Sequence, residues 1–323
     1  MGILRKHPMF FWGLSITVLF LGLGIFRMEF LDTLERKFYD VRMKLKGDPE
    51  SAGEIVMVDI DDDSIEKLGR WPWPRSLLAK GIRKINTGDP KVIGLNIILS
   101  EPEESEGLRT LKELEKIFAD TVLDRAGDKG PVFLEALNNA KTELDNDKKL
   151  ADAISESGKV VLPVFFKGSA LMSEGDTAED KILADYSIRN VKSLKGFKCP
   201  RGREIILPIP AFLNVSKGVG HINLAYDMDG TARRERLLYE YHGLYIPAYT
   251  LSLAALYLNL PINKISAHLG SAIYLGSLEI PTTWLTELLV SFKGARGSFK
   301  SYSFFDVIND KVPASVFKKN LYW

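Results

Sequence analysis

From Met9 to Phe26 the chain is uncharged and mostly apolar, in the run MFFWGLSITVLFLGLGIF. Its length is about what a helix needs to cross the hydrocarbon of a bilayer. Directly after it, Leu31, Leu34, Phe38, Val41 and Leu45 recur at alternating steps of three and four. That spacing is the a/d seam of a helix. Two readings of the seam stand side by side: packing on the chain's own domain, or a stalk that pairs with a second copy.

Further on the period changes. EIVMVDI, residues 54–60, reads as a buried strand, followed by a short helix from Ser64 that Gly69 ends. A helix over SLLAKGIRKINTG and a second strand, KVIGLNIIL, complete a βαβ unit, which implies parallel strands. Residues 100–157 read as an insertion of two amphipathic helices, the first with Leu108, Leu111, Leu114, Phe118 and Val122 on one side. KVVLPVFF is a third strand, and 167–205, rich in Lys, Gly, Ser and Asp, reads as a long mobile loop.

The second half alternates with period two. HINLAY places Ile222, Leu224 and Tyr226 on one face, and RLLYEY places Leu237, Tyr239 and Tyr241 on one face. Between them lies an Asp/Gly turn, so the pair predicts a hairpin. PAYTLSLAALYLNLP, too short to span a membrane, predicts a buried helix beginning at Pro247. AIYLGSLEIP predicts another hairpin about Gly276, ELLVSFKG a strand, and FFDVIND a short helix capped by Ser303. The fold class is α/β: a mixed sheet with an N-terminal βαβ unit, later antiparallel hairpins and one N-terminal transmembrane helix.

Charge sets the orientation of the apolar run. Arg5, Lys6 and the terminal amine precede it, while Arg27, Glu29 and Asp32 follow. The positive-inside rule then makes 1–8 a cytoplasmic stub, 9–26 an anchor in a bacterial inner membrane, and 27–323, everything after Phe26, periplasmic. A cleaved signal peptide competes through GLG, but no Ala-x-Ala site follows. With 43 basic and 42 acidic residues, nothing favours nucleic acid as a partner. One cysteine, Cys199, excludes an internal disulfide and a thiolate-rich metal site. Four separated histidines argue against a His-based metal centre, and no motif calls for a cofactor.

Three stretches invite chemistry. Asp227-Met228-Asp229-Gly230-Thr231 matches the signature of haloacid-dehalogenase phosphotransferases, with Ser291, Lys300, Asp306 and Asp310 following in workable order. A magnesium-dependent phosphohydrolase using Asp227 and Asp229 is therefore the alternative function. Against it, the strand before Asp227 alternates with polar Asn223, a second strand follows Thr231, and Asp306 falls within a predicted helix. In DIDDDS, Asp59, Asp61 and Asp63 resemble the start of an EF-hand loop, but Ser64 and Arg70 stand where Gly and Glu are required. Asp63 reads there as a helix cap, with Asp61 at the strand's C-terminal edge, where α/β sheets hold ligands. WPWPR reads either as a stiff turn burying Trp71 and Trp73, with Arg75 paired to an Asp, or as an aromatic and cationic ligand wall.

With these residues together the chain resembles the type-two CHASE domain, the extracytoplasmic sensory module that precedes cyclases and histidine kinases. The resemblance rests on FYDVRMKL, IVMVDIDDDSIEKLGRWPWPR, VIGLNIILSEPE, DNDKKLADAI, GVGHINLAYDMDGTARR and LLVSFKGARGSFKSYSFFDVIND. It implies a sensory domain without catalysis of its own, which binds an unknown small molecule or periplasmic protein; the stalk reading of the seam adds a homodimer through Leu31–Leu45. Candidate ligand residues are Asp61, Trp71, Trp73, Arg75, Asp229 and Arg233. Asn96 stands where the family usually has Asp. The family pattern also continues past FKKNLYW with another strand and membrane helices, so the chain is expected to stop short of its last strand.

Overall fold

The computed structural model describes residues 8–25, 29–46, 53–103, 105–121, 127–168, 178–193, 196–294, 297–318 and 321–322. The chain divides into two units, 1–50 with 291–298, and 51–290 with 299–323. In the first, α1 (Pro8–Ile25) and α2 (Glu29–Leu45) are helices, and Lys46 Nζ donates to Ser291 Oγ at 3.1 Å. The 18 residues of α1 rise about 27 Å, short of a hydrocarbon core of roughly 30 Å. Among the described residues, no helix is long and apolar enough to cross a membrane. On α2, four of the five seam residues, Leu34, Phe38, Val41 and Leu45, are exposed. The side chain of Leu31 lies outside the described residues.

The second unit opens with β1 (Ile55–Asp59), α3 (Asp62–Leu68), α4 (Arg75–Asn86) and β2 (Val92–Gly94), the expected strand–helix–strand order. The insertion holds three helices, α5 (Glu106–Thr121), α6 (Lys129–Leu144) and α7 (Asn146–Ser157). Phe118 meets Phe133 across α5 and α6, 4.5 Å between ring centroids, while Leu114 is exposed and Val122 lies outside the described residues. The third helix is core: α7 packs on α4 and buries Leu150, Ala153 and Ile154. After β3 (Val160–Lys167) the expected mobile loop instead carries α8 (Ala178–Asp185), β4 (Asn190–Ser193) and β5 (Glu204–Ile206). Leu183 and Ile188 are fully buried within it. Polar composition hid these few apolar anchors; residues 169–177 lie outside the described set.

Next come α9 (Pro210–Leu213), β6 (Gly218–His221), β7 (Leu224–Ala225), β8 (Arg234–Arg236), β9 (Leu238–Tyr241) and β10 (Leu244–Pro247). The core helix α10 (Tyr249–Tyr257) buries Tyr249, Leu251, Leu253 and Ala255; Pro247 ends β10 rather than opening this helix. The chain closes with β11 (Ile265–Leu269), β12 (Ala272–Leu275), β13 (Leu278–Pro281), β14 (Glu287–Leu289), β15 (Lys300–Ser303), α11 (Phe304–Ile308) and β16 (Leu321–Tyr322).

The main sheet has seven strands, in the order β15, β1, β16, β2, β3, with β5 and β6 both on β3. All pairs are parallel except β3 with β5. Helix α4 covers it through Leu78, Ile82 and Ile85, and Phe304 seats against Gly81, where an added Cβ would lie 2.5 Å from its ring. The βαβ unit is thus parallel as expected, but its two strands are not neighbours. Instead β16 separates them, through Ile55↔Leu321 and Tyr322↔Ile93. A two-residue strand, β16, follows FKKN.

Smaller antiparallel sheets complete the unit. The Gly276 hairpin forms between β12 and β13. β7 pairs with β8 across the Asp/Gly turn, and β14 joins on the far side. RLLYEY, however, is not one strand: β9 leaves to pair with β10. Nor do Leu224 and Tyr226 face the core; both are exposed, the alternation having fixed a shared face but not its burial.

Candidate functional site

The Asp/Gly turn is built from its own side chains. Gly230 takes φ +75°, a left-handed conformation that costs glycine nothing, and its N–H donates to Asp227 O at 2.9 Å. The N–H of Thr231 donates to Asp229 Oδ1 at 3.1 Å. Arg233, at the head of the returning strand, is 3% exposed. Its guanidinium donates to Asp227 Oδ2 at 2.8 Å and to Asp229 Oδ1 and Oδ2 at 2.9 and 2.8 Å. The paired fork is the strong form of such contacts. It holds the Asp229 carboxyl well below the usual carboxylate range, against the opposing pull of desolvation.

WPWPR packs through its aromatic pair on the main core. Trp73 is buried, stacks on Phe304 at 5.4 Å, meets Trp71 edge-on at 5.3 Å, and donates Nε1–H to Gly69 O at 2.7 Å. Trp71 is half-buried. Arg75 starts α4, and its backbone N–H donates to Glu103 Oε2 at 2.7 Å. Its side chain donates to Asp147 and to the Glu101 carbonyl, and lies 5.1 Å over the Phe212 ring. Asn146 and Asp147 in turn hold Glu103, at 2.7 and 3.0 Å. The expected Asp partner of Arg75 exists, 72 residues away, at a distance no local pattern reaches.

Asp61, not Asp63, caps α3: it accepts from Ser64 N at 2.9 Å, while Asp63 pairs with Lys67. Ser303 is the N-cap residue of α11 as expected, but its hydroxyl donates to Asp61 at 2.9 Å rather than bonding the helix's own N–H groups. Ser64 Oγ receives Phe305 N at 3.0 Å and completes the knot. Burial pushes the Asp61 carboxyl up, but the bonds from Ser64 and Ser303 outweigh it and leave it lowered. Asp61, Trp71 and Trp73 therefore meet around the start of α11. Arg75 opens α4 and reaches Asp147 in α7, and Asp229 and Arg233 lie in the turn between β7 and β8.

A match over nearly the whole chain now fixes its affiliation: the model of the CHASE2 domain covers residues 15–321. The chain belongs to the CHASE2 family. CHASE2 domains are extracellular sensory domains of signalling proteins and are not catalytic. No curated protein and no solved structure matches the chain.

In this CHASE2 domain four residues of the phosphohydrolase alternative form ion pairs. Asp227 and Asp229 hold Arg233, Asp306 pairs with Lys311 at 2.8 Å, and Asp310 pairs with Lys84 at 2.5 Å. Two features of the domain escaped the sequence reading. His221 is 2% exposed, lies edge-on to Tyr239 at 4.8 Å, and has no hydrogen-bond partner on either ring nitrogen among the described residues. A cavity of about 300 Å³ opens between β1 and β2, lined by Met57, Val58, Ile60, Ile93 and Leu95.

Proposed function

We propose that this CHASE2 domain is the periplasmic input domain of a membrane-bound receptor in a bacterial inner membrane, regulating a nucleotide cyclase or a histidine kinase. α1 and its flanking residues form the anchor. Met9, Phe10, Trp12, Leu14, Ile16 and Val18 are all exposed around α1, and a helix apolar on every side has no stable place in water. The shortfall of about 3 Å is within what local bilayer thinning absorbs, at fractions of a kcal/mol per Å.

The observation that carries the reading is the exposed seam of α2. Leu34, Phe38, Val41 and Leu45 form one uncovered apolar stripe directly after the anchor. Two such stripes side by side make a two-stranded coiled coil, and a ligand or protein bound outside biases its packing. Asp61, Trp71, Trp73, Arg75, Asp229 and Arg233 are the side chains on which that bias would act.

Cysteines placed singly at 34, 38, 41 and 45 should cross-link copies of the chain in native membranes, and one at Lys37 should not. Cross-linking without regard to position removes the paired stalk. A reporter fused behind Trp323 should read out periplasmic; a cytosolic signal overturns the receptor. Asp227→Asn, compared with wild type on phosphate esters, should change nothing measurable.

A further inference from the structure

A second cavity, of about 220 Å³, lies within the second unit where α8, β6 and α10 come together. The end of α8 brings Asp185 and Tyr186, the approach to β6 brings Lys217, and α10 brings Ser252. Most of the remaining wall is apolar, Val219, Leu256 and Ile262 among it. Small residues leave the space open. Gly218 has no side chain, and a Cβ added there would lie 3.4 Å from Leu256 Cδ1. On α10, Ser252 and Ala255 stand three residues apart and so share a face.

The polar groups on this wall fall into two kinds. Ser252 is buried and donates its O–H to Val219 O at 2.7 Å. Tyr186 donates its own to Leu213 O at 2.7 Å. With both donors satisfied inside the chain, the interior suits hydrocarbon. The charged side chains differ. Lys217 is exposed and has no ion-pair partner among the described residues. Asp185 has Arg189, at 3.5 Å, between side chains that are 80% and 69% exposed. A pair so exposed is weak and yields to a better-placed cation. Asp185 also ends α8, where the last helix carbonyls favour positive charge.

One anion, one cation and otherwise hydrocarbon is the complement of such a wall. We propose that the cavity binds a free α-amino acid with an aliphatic side chain. Its ammonium meets Asp185, its carboxylate meets Lys217, and its side chain lies against Val219, Leu256 and Ile262. Drug-sized ligands occupy about 300–1,000 Å³, so this smaller space selects a ligand of leucine's class. The site shares no residue with Asp61, Trp71, Trp73, Arg75, Asp229 or Arg233. It also rests on no part of the receptor reading: binding is measured without reference to membrane topology, so either can fail alone.

The test titrates L-leucine into the full chain in detergent by calorimetry, beside leucinol, which lacks the carboxylate, and isocaproate, which lacks the amine. Saturable leucine binding is expected, with a melting temperature that rises with leucine concentration. Glycine, with no side chain to bury, should bind about tenfold more weakly or worse. Lys217 and Asp185 are exposed, so their variants fold. Lys217→Met and Asp185→Asn should each weaken leucine about three- to fivefold. The analogues separate the two contacts: Lys217→Met should leave leucinol binding unchanged, and Asp185→Asn should leave isocaproate binding unchanged. Absence of saturable leucine binding, glycine equal to leucine, or leucine binding unmoved by both variants overturns the proposal. So does a loss of leucinol binding on Lys217→Met as large as that of leucine, because the lysine then acts without touching a carboxylate.

Discussion

Arg233 closes a bidentate fork on Asp229, at 2.8 and 2.9 Å, from a position where the arginine itself is almost wholly buried. The fork also reaches Asp227, so one cation bridges two carboxylates inside a turn of four residues. Removing the cation leaves those carboxylates repelling each other without a shared partner. Arg233→Met should therefore cost about 3 kcal/mol in chemical denaturation. Arg233→Lys should recover only part of that, because an ammonium cannot form the fork. Equal stability of Arg233→Met and wild type would show that the turn is held by its backbone alone.

Trp73 ties the WPWPR turn to α11 through Phe304 and Gly69 O. Truncation to alanine removes a buried aromatic and its stacking partner's contact at once. Trp73→Ala should lose about 3–5 kcal/mol, and Trp71→Ala, half-buried, clearly less. Thermal unfolding of the two variants measures the order, and a reversed order would mean that Trp71 carries the turn.

Local chemistry was legible and long-range pairing was not. The Asp/Gly turn, the stop at Gly69 and the Gly276 hairpin follow from residues within a few positions of one another. The interposition of β16 could not be read: two residues, Leu321 and Tyr322, carry no periodicity, and their strand partners lie more than 200 residues back. The same holds for Arg75 with Asp147 and for Leu183, whose burial is decided by tertiary packing within a polar stretch. The alternation of Leu224 and Tyr226 was real, but period two names a face without saying which side water is on.

His221 gives the fold a pH dependence of defined sign. Burial first, and then the Arg236 charge, push its pKa from 6.5 down to about 3. The unfolded chain takes up a proton below about 6.5 that the folded chain refuses until about 3, so stability falls as pH drops through that window. From pH 7.5 to 5.0 this component should cost about 2 kcal/mol. Asp61 and Asp229, held low, lose their contributions only below about pH 4. The difference between wild type and His221→Leu from pH 5 to 6.5 therefore isolates the histidine. Denaturant titrations at both pH values that give the two proteins the same pH slope would exclude a buried neutral imidazole.

Cys199 reports on the hairpin sheets. Its thiol is buried, donates to Leu238 O at 3.4 Å, and is pushed up to about 12 by burial. Almost no thiolate is then available at neutral pH, and the thiolate is the reactive form. In the native chain Cys199 should resist a thiol-specific reagent at pH 8 and react fully once denaturant unfolds the protein. Because β9 supplies the carbonyl, labelling should follow the opening of that strand: mutations that loosen it should speed labelling at constant reagent. Trp73→Ala, in a separate core cluster, should speed it only as far as it lowers global stability. Rapid labelling of the native wild type would mean that this cluster opens to solvent far more often than its burial implies.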